Sequence, residues 1–138
     1  MANADRPLRT VLIVEDAESC ATTLEFALLG IPHIHVRVAP TARQALELLA
    51  SAGGGISALV TDLNLPAMDG FELIERVRSD SRTARLPIVV ISGDSDPRTP
   101  DRIQRLGADA YFGKPYSPAQ VRQKVEQLLD ANSSSPSP

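Results

Sequence analysis

A single cysteine, Cys20, stands in the 138 residues of this chain, which excludes an internal disulfide and a thiolate metal cluster. It falls in an apolar helical pattern and reads as a plain core residue. No run of Lys and Arg is present, and the net charge is −3. Holding nucleic acid by phosphate neutralisation needs clustered cations, so direct nucleic-acid binding is not expected. No apolar stretch is long enough to span a bilayer. The opening Met-Ala-Asn-Ala-Asp lacks the basic-then-apolar pattern of a secretory signal. These absences point away from the membrane and toward a cytoplasmic protein. What remains, 43% hydrophobic and 22% charged residues, is the composition of an ordinary globular domain, at a length that buries one core.

Five short apolar runs rich in β-branched residues alternate with five stretches of helical periodicity, the pattern of a parallel sheet covered on both faces. The first run is Val11 to Val14, followed by a helical stripe of Cys20, Leu24, Ala27 and Leu28 that Gly30 can end. The second spans Ile34 to Ala39, and its helix carries Ala42, Ala45, Leu46 and Leu49 on one face. Gly53-Gly54-Gly55 then reads as a connector, because no Gly-Lys-Ser/Thr follows to make a phosphate loop.

Ala58 to Asp62 is the third run, with Phe71, Leu73, Ile74 and Val77 on the helix after it. The fourth, Ile88 to Ile91, ends at Ser92-Gly93; Thr99 reads as an N-cap before Pro100, and Gly107 can close that helix. The fifth is Ala110 to Phe112. After Lys114-Pro115, Ser117 and Gln120 have capping-box spacing at the head of a helix that buries Val121, Val125, Leu128 and Leu129. The expected organisation is an N-terminal extension over 1–9, one domain over 10–130, and a disordered Ser/Pro tail over 131–138.

Ligands of an open parallel sheet bind beyond the carboxyl ends of its strands. Five polar side chains fall there: Glu15 and Asp16 after the first run, Asp62 closing the third, Ser92 closing the fourth, and Lys114 after the fifth. A strand-terminal acid taken alone is most often a helix cap or a solvated loop residue. Five polar residues at the ends of successive strands are another matter. Carboxylates this close repel by roughly 1–4 kcal/mol per pair, so a compensating cation is expected. A hard ion such as Mg2+ suits an all-oxygen set, and Lys114 adds a second positive charge. One carboxylate can then attack phosphorus while the cations stabilise charge on the transferring group. Asp62 is the preferred nucleophile, since its strand is central in the expected order and Asn64 can offer a backbone carbonyl to the ion. His33 and His35 could form a same-face pair on the second strand, but with no third ligand they read as solvated or packed.

With Glu15-Asp16, the segment Asp62-Leu63-Asn64-Leu65-Pro66-Ala67-Met68-Asp69-Gly70, Ser92-Gly93, and Gly107 through Lys114-Pro115 in this order, the chain resembles the receiver domains of two-component response regulators over Thr10 to Asp130. The resemblance implies a flavodoxin-like, doubly wound sheet of five parallel strands in the order 2-1-3-4-5, flanked by five helices. It implies that Asp62 accepts a phosphoryl group from a sensor histidine kinase or a histidine phosphotransfer protein. Asp16, Asp62 and the Asn64 carbonyl would bind Mg2+ or Mn2+, with Glu15 acting through water. Ser92 and Lys114 would contact the phosphoryl oxygens, and Tyr111 would change rotamer with Ser92. The Lys114-Pro115 bond would be cis. The output would be a change of shape that alters binding to a downstream protein, with a phosphorylation-dependent homodimer as one form of it. The family more often has Asp where Glu15 stands, and many relatives have a polar residue in place of Pro40. Two alternatives from other classes are a phosphate-independent interaction module and a Mg2+-dependent phosphohydrolase with an Asp nucleophile. Such hydrolases characteristically resemble Asp-x-Asp on the first strand, whereas Asp62-Leu63-Asn64 lies on the third.

Overall fold

The structure, a computed structural model, describes residues 8–51 and 55–133, with 132 and 133 described by backbone alone. Its elements alternate as β1 (Arg9–Val14), α1 (Glu18–Leu28), β2 (Ile34–Ala39), α2 (Ala42–Ser51), β3 (Ala58–Asp62), α3 (Gly70–Ser79), β4 (Ile88–Ser92), α4 (Thr99–Leu106), β5 (Ala110–Gly113) and α5 (Pro118–Ser133). The five strands form one sheet in the order β2-β1-β3-β4-β5, every neighbouring pair parallel, as expected. β1 begins one residue before the expected domain start, and α5 runs to Ser133, three residues past its expected end. Gly53 and Gly54 of the connector, residues 1–7 of the extension and 134–138 of the tail lie outside the described residues.

Side chains alternate across each strand, so two cores form. Leu12, Val14, Leu59, Ile88 and Val90 face α2, α3 and α4, meeting Ala45, Leu49, Leu73, Ile74, Val77 and Ile103. On the opposite face Val11, Ile13, Val60, Val89 and Ile91 meet Leu24 and Leu28 of α1 and Val121, Val125 and Leu129 of α5. β3 and β4 are buried along their whole length, which is why they read as unbroken apolar runs. The helices share unequally in this packing. α3 buries Leu73, Ile74 and Val77, whereas α4 buries only Thr99 and Ile103. At roughly 1.5–3 kcal/mol for each large aliphatic, α4 is held much less tightly by its apolar face than α3. Polar contacts at its two ends do more of the work.

Three local expectations change. Thr99 is the first residue of α4, Arg98 is its N-cap, and the Thr99 hydroxyl serves a loop carboxylate instead of the helix. His33 lies in the turn before β2 with φ 56, so His33 and His35 do not form a pair on one strand. Cys20 is only half-buried, because Ala21, Leu24 and Leu28 make the inward stripe of α1. Gly107 closes α4 in the left-handed conformation, φ 108, as its position suggested. Ser117 Oγ accepts the Gln120 N–H at 3.2 Å, the expected cap of α5.

Candidate functional site

Parallel pairing brings the ends of β1, β3 and β4 and the turn after β5 to one edge of the sheet. Asp62 closes the buried strand β3 and is itself 5% exposed. Its Oδ1 accepts the Asn64 N–H at 2.9 Å, and its Oδ2 accepts from Lys114 Nζ at 2.7 Å. The backbone after it turns sharply, and Gly70 permits this. A Cβ there would stand 2.5 Å from the Asp62 carbonyl oxygen and 2.6 Å from Leu63 Cα, so α3 can start against the acid only from glycine. Asp69 caps α3 by accepting the Glu72 N–H at 3.0 Å.

Glu15 follows β1 and is 4% exposed. Its Oε2 accepts the Ala17 N–H at 3.1 Å, while its Oε1 lies 3.5 Å from Lys114 Nζ. Lys114 thus bridges two buried carboxylates with one ammonium. Its main chain is fixed as well, since the Lys114 N–H donates to the Ser92 carbonyl at 2.8 Å. The Lys114-Pro115 peptide bond is cis, as expected. Ser92 is fully buried, and its Oγ accepts the Asp94 N–H at 2.9 Å. Asp16 is exposed at the rim, and Tyr111 packs half-buried against the core that α4 covers.

Burial pushes the Glu15 carboxyl above its ordinary value; the Ala17 N–H opposes this, the Asp62 charge adds to it, and Lys114 opposes it in turn. Burial pulls the Lys114 ammonium down, but the hydrogen bond and charge of Asp62, with the charge of Glu15, outweigh it and leave the pKa raised. The cluster carries more negative charge than one lysine neutralises. Among the described residues no three His, Cys, Asp or Glu side chains are grouped to hold a metal as they stand, since Glu15 and Asp62 turn toward Lys114. The donors are nonetheless all oxygen and anionic in excess, which fits a hard divalent cation.

A five-stranded parallel sheet with two acids, a hydroxyl and a lysine gathered at its carboxyl edge defines a receiver module. The chain belongs to the response regulator receiver domain family, whose model matches residues 11–126. It is 30% identical over 122 residues to chemotaxis protein CheY1 of Helicobacter pylori, an alignment spanning 88% of this chain and 98% of that protein. Among solved structures, chemotaxis response regulator CheY4 of Vibrio cholerae superposes with a TM-score of 0.78 at 25% identity, over 88% of this chain and 98% of that one. The signal receiver domain of a signal transduction histidine kinase from Syntrophus aciditrophicus gives a TM-score of 0.83 at 25% identity, covering 94% and 96%. Receiver domains are signalling modules of two-component systems, not enzymes acting on a separate substrate, and the family typically binds Mg2+ at its acidic pocket. No helix among the described residues is long and apolar enough to cross a membrane.

Sequence reasoning missed Asp94, whose main-chain N–H donates to Ser92 and whose carboxylate accepts from Thr99, a residue read only as a cap, and it missed Arg78, which ties α3 to the end of α4. The spacing Ser92, Asp94, Asp96 is a run of alternate side-chain acceptors and carried a turn signal. Arg78 carried none, because its partners lie as far away as Gly107 and Asp109.

Proposed function

We propose that Asp62 is the phosphoacceptor of a histidine-to-aspartate relay and that its phosphorylation changes the shape presented to a downstream partner. The observation that carries this reading is the 2.7 Å contact between Lys114 Nζ and Asp62 Oδ2, at the end of a buried strand and beside a second buried acid. In the transfer an Asp62 carboxylate oxygen forms the new O–P bond. The P–N bond of the donor phosphohistidine breaks, and its electron pair returns to the imidazole. Lys114 offsets the charge as two anions approach, and Ser92 supplies a hydroxyl for a phosphoryl oxygen. Asp16, Asp62 and the Asn64 carbonyl would hold Mg2+, with Glu15 acting through water, and the ion would add further charge compensation.

Charge-assisted hydrogen bonds contribute about 1.5–3 kcal/mol each. Inverting a strongly biased two-state equilibrium needs ~5.5 kcal/mol. Lys114 already bonds Asp62, so phosphorylation redirects that bond instead of adding a whole one. More of the difference between the two states must then come through Ser92. Partners of the module are a sensor histidine kinase or histidine phosphotransfer protein and a downstream protein target, in the cytoplasm, with a phosphorylated homodimer among the output forms. The phosphate-independent alternative is weakened by the presence of the whole polar set, and family membership replaces the phosphohydrolase reading.

Incubation with acetyl phosphate and Mg2+ followed by intact-mass measurement tests the proposal. The protein is expected to gain one phosphoryl group, lost on omitting Mg2+ and absent from Asp62→Asn, which keeps the shape of the side chain and the fold. A phosphoryl group on another acid of Asp62→Asn would overturn the assignment.

A further inference from the structure

The two edge strands of the sheet differ in what they leave open. β5 is 4 residues long, whereas β2 runs for 6, from Ile34 to Ala39. Odd-numbered residues of β1 turn their main chain toward β2: the Arg9 N–H donates to the His33 carbonyl at 3.0 Å, and the Glu15 N–H to the Ala39 carbonyl at 3.1 Å. In a parallel ladder of this register the inward main-chain groups of β2 belong to His35, Arg37 and Ala39, and the N–H and C=O of Ile34, Val36 and Val38 point outward. Those outward groups have no hydrogen-bond partner among the described residues.

The side chains at the same three positions lie on the face that α1 covers. Ile34 and Val36 pack half-buried against that core, and Val38 stands 39% exposed beside them. α1 lies against β1 and β2 here, and it carries Phe26, which is 75% exposed, with the exposed Leu29 at its end. Leu8, just before β1, completes the exposed large hydrophobic side chains among the described residues. All of them therefore belong to the flank of the sheet that β2 closes, where an unpaired strand and an apolar surface coincide.

The occupant that fits this flank follows from its symmetry. Counting from Val36, a β-branched aliphatic residue stands two positions away on each side, Ile34 and Val38, and a proline four positions away on each side, Pro32 and Pro40. A two-fold axis at Val36 sets Val36 against its own copy, Ile34 against Val38, and Pro32 against Pro40. The aliphatic pairs then exchange N–H and C=O in both directions, as in an antiparallel ladder. The prolines have no N–H, so they strand no donor where the pairing stops. On the opposite face Arg37 comes to lie against His35 and adds nothing. Strand pairing alone is small beside the roughly 1,000 Å2 that a specific interface buries. An aromatic side chain buries roughly 150–250 Å2, so Phe26 from both copies, together with Leu29, supplies much of the remainder.

We propose that β2 is the interface of a homodimer, in which two copies join antiparallel about Val36 into one continuous sheet. The interface is isologous and closes at two copies, because each chain has one such strand. It does not rest on the reading of Asp62 as phosphoacceptor.

Sedimentation equilibrium of the full chain between about 10 µM and about 1 mM is expected to show monomer and dimer in equilibrium. Val36→Pro removes the outward N–H on the axis and leaves the β1 ladder its bonds, and Val38→Lys sets an ammonium against Ile34. Each should weaken the dimer about tenfold. Circular dichroism melts check that the variants fold, and Val38→Lys, at an exposed side chain, decides the matter if Val36→Pro does not. In the parent, amide exchange at Ile34, Val36 and Val38 should slow as concentration rises, while His35 and Arg37, already bonded to β1, change little. A monomer throughout the range, an undiminished dimer in folded Val38→Lys, assemblies that grow beyond two copies, or slowing confined to other segments would each overturn the proposal.

Discussion

The two edges of the sheet both hold partly buried cations, but in opposite ways. At the carboxyl edge one ammonium, Lys114, faces two buried carboxylates, Glu15 and Asp62. At the amino edge one guanidinium, Arg78, meets the Gly107 carbonyl through Nε at 3.1 Å and Nη2 at 2.8 Å, the Thr83 carbonyl through Nη1 at 3.3 Å, and Asp109 Oδ2 through Nη2 at 3.2 Å. Asp109 in turn accepts the Ile88 N–H at 2.8 Å. Arg9 adds a similar clamp between Asp130 and the Pro32 carbonyl. At the Arg78 edge charge is balanced and main-chain acceptors are satisfied, which holds elements together. At the other edge charge is left uncompensated, which suits the cation and the phosphoryl transfer proposed above. On that proposal similar residue types hold at one end and react at the other, and the ratio of cation to anion separates the roles.

The largest expected effect is on the holding side. Arg78→Ala should destabilise by about 3 kcal/mol in denaturant melts, because it takes a charged donor from two carbonyl groups at once, while Asp109 keeps the Ile88 N–H. Phosphoryl gain from acetyl phosphate should survive in the folded fraction. Loss of phosphorylation in well-folded Arg78→Ala would break the separation of roles. Lys114→Ala comes next, with a loss of about 2 kcal/mol at about pH 7, since two buried acids then face each other without a cation. That loss should shrink in acid as Glu15, already raised by burial, takes a proton, whereas the Arg78→Ala loss should change much less between about pH 5 and 8. Lys114→Ala should also retain some phosphorylation while losing the coupled change of shape, read by comparing amide exchange before and after loading.

Glu15→Gln sharpens the comparison from the anionic side. A carboxyl with a raised pKa contributes stability that is fully present below its ordinary value of 4.5 and is lost as pH rises through the folded-state value. Ionised Glu15 is therefore a liability near neutrality, and Glu15→Gln should melt higher than the parent there. The gap should close as pH falls below 4.5, and a gap that widens in acid would contradict the charge imbalance. Smallest is Ala67→Gly, in the loop between Asp62 and α3, where Ala67 has φ 68. Relief of about 1 kcal/mol of left-handed strain is partly offset by the entropy of glycine, leaving a gain of a few tenths of a kcal/mol in thermal melts.

Much of this protein was legible in its sequence, and for local reasons. A parallel strand buried on both faces must be a continuous apolar run, so Ala58–Asp62 could be read to the residue, while the edge strand Ile34–Ala39 was legible from its β-branched alternation. The acids, hydroxyl and lysine could be read because each ends or follows such a run, and a parallel sheet brings those ends together. Gly107 was readable because a left-handed cap favours glycine. Thr99 was misread for an equally physical reason: a hydroxyl before Pro100 is a good cap in isolation, and only the folded loop offers it the Asp94 carboxylate. His33 misled in the same way, since its left-handed turn interrupts an alternation that the sequence alone continues.

By itself, then, the sequence determined the order of elements, the faces they bury and the residues that meet at the carboxyl edge, because these follow from periodicity and strand polarity. Only the tertiary structure decided how those residues share their charges. That one ammonium serves both Glu15 and Asp62, and that Arg78 anchors Gly107, depend on contacts between segments distant in the chain. No local pattern encodes such contacts; they exist once two cores have fixed the distances across which a hydrogen bond or an ion pair can form.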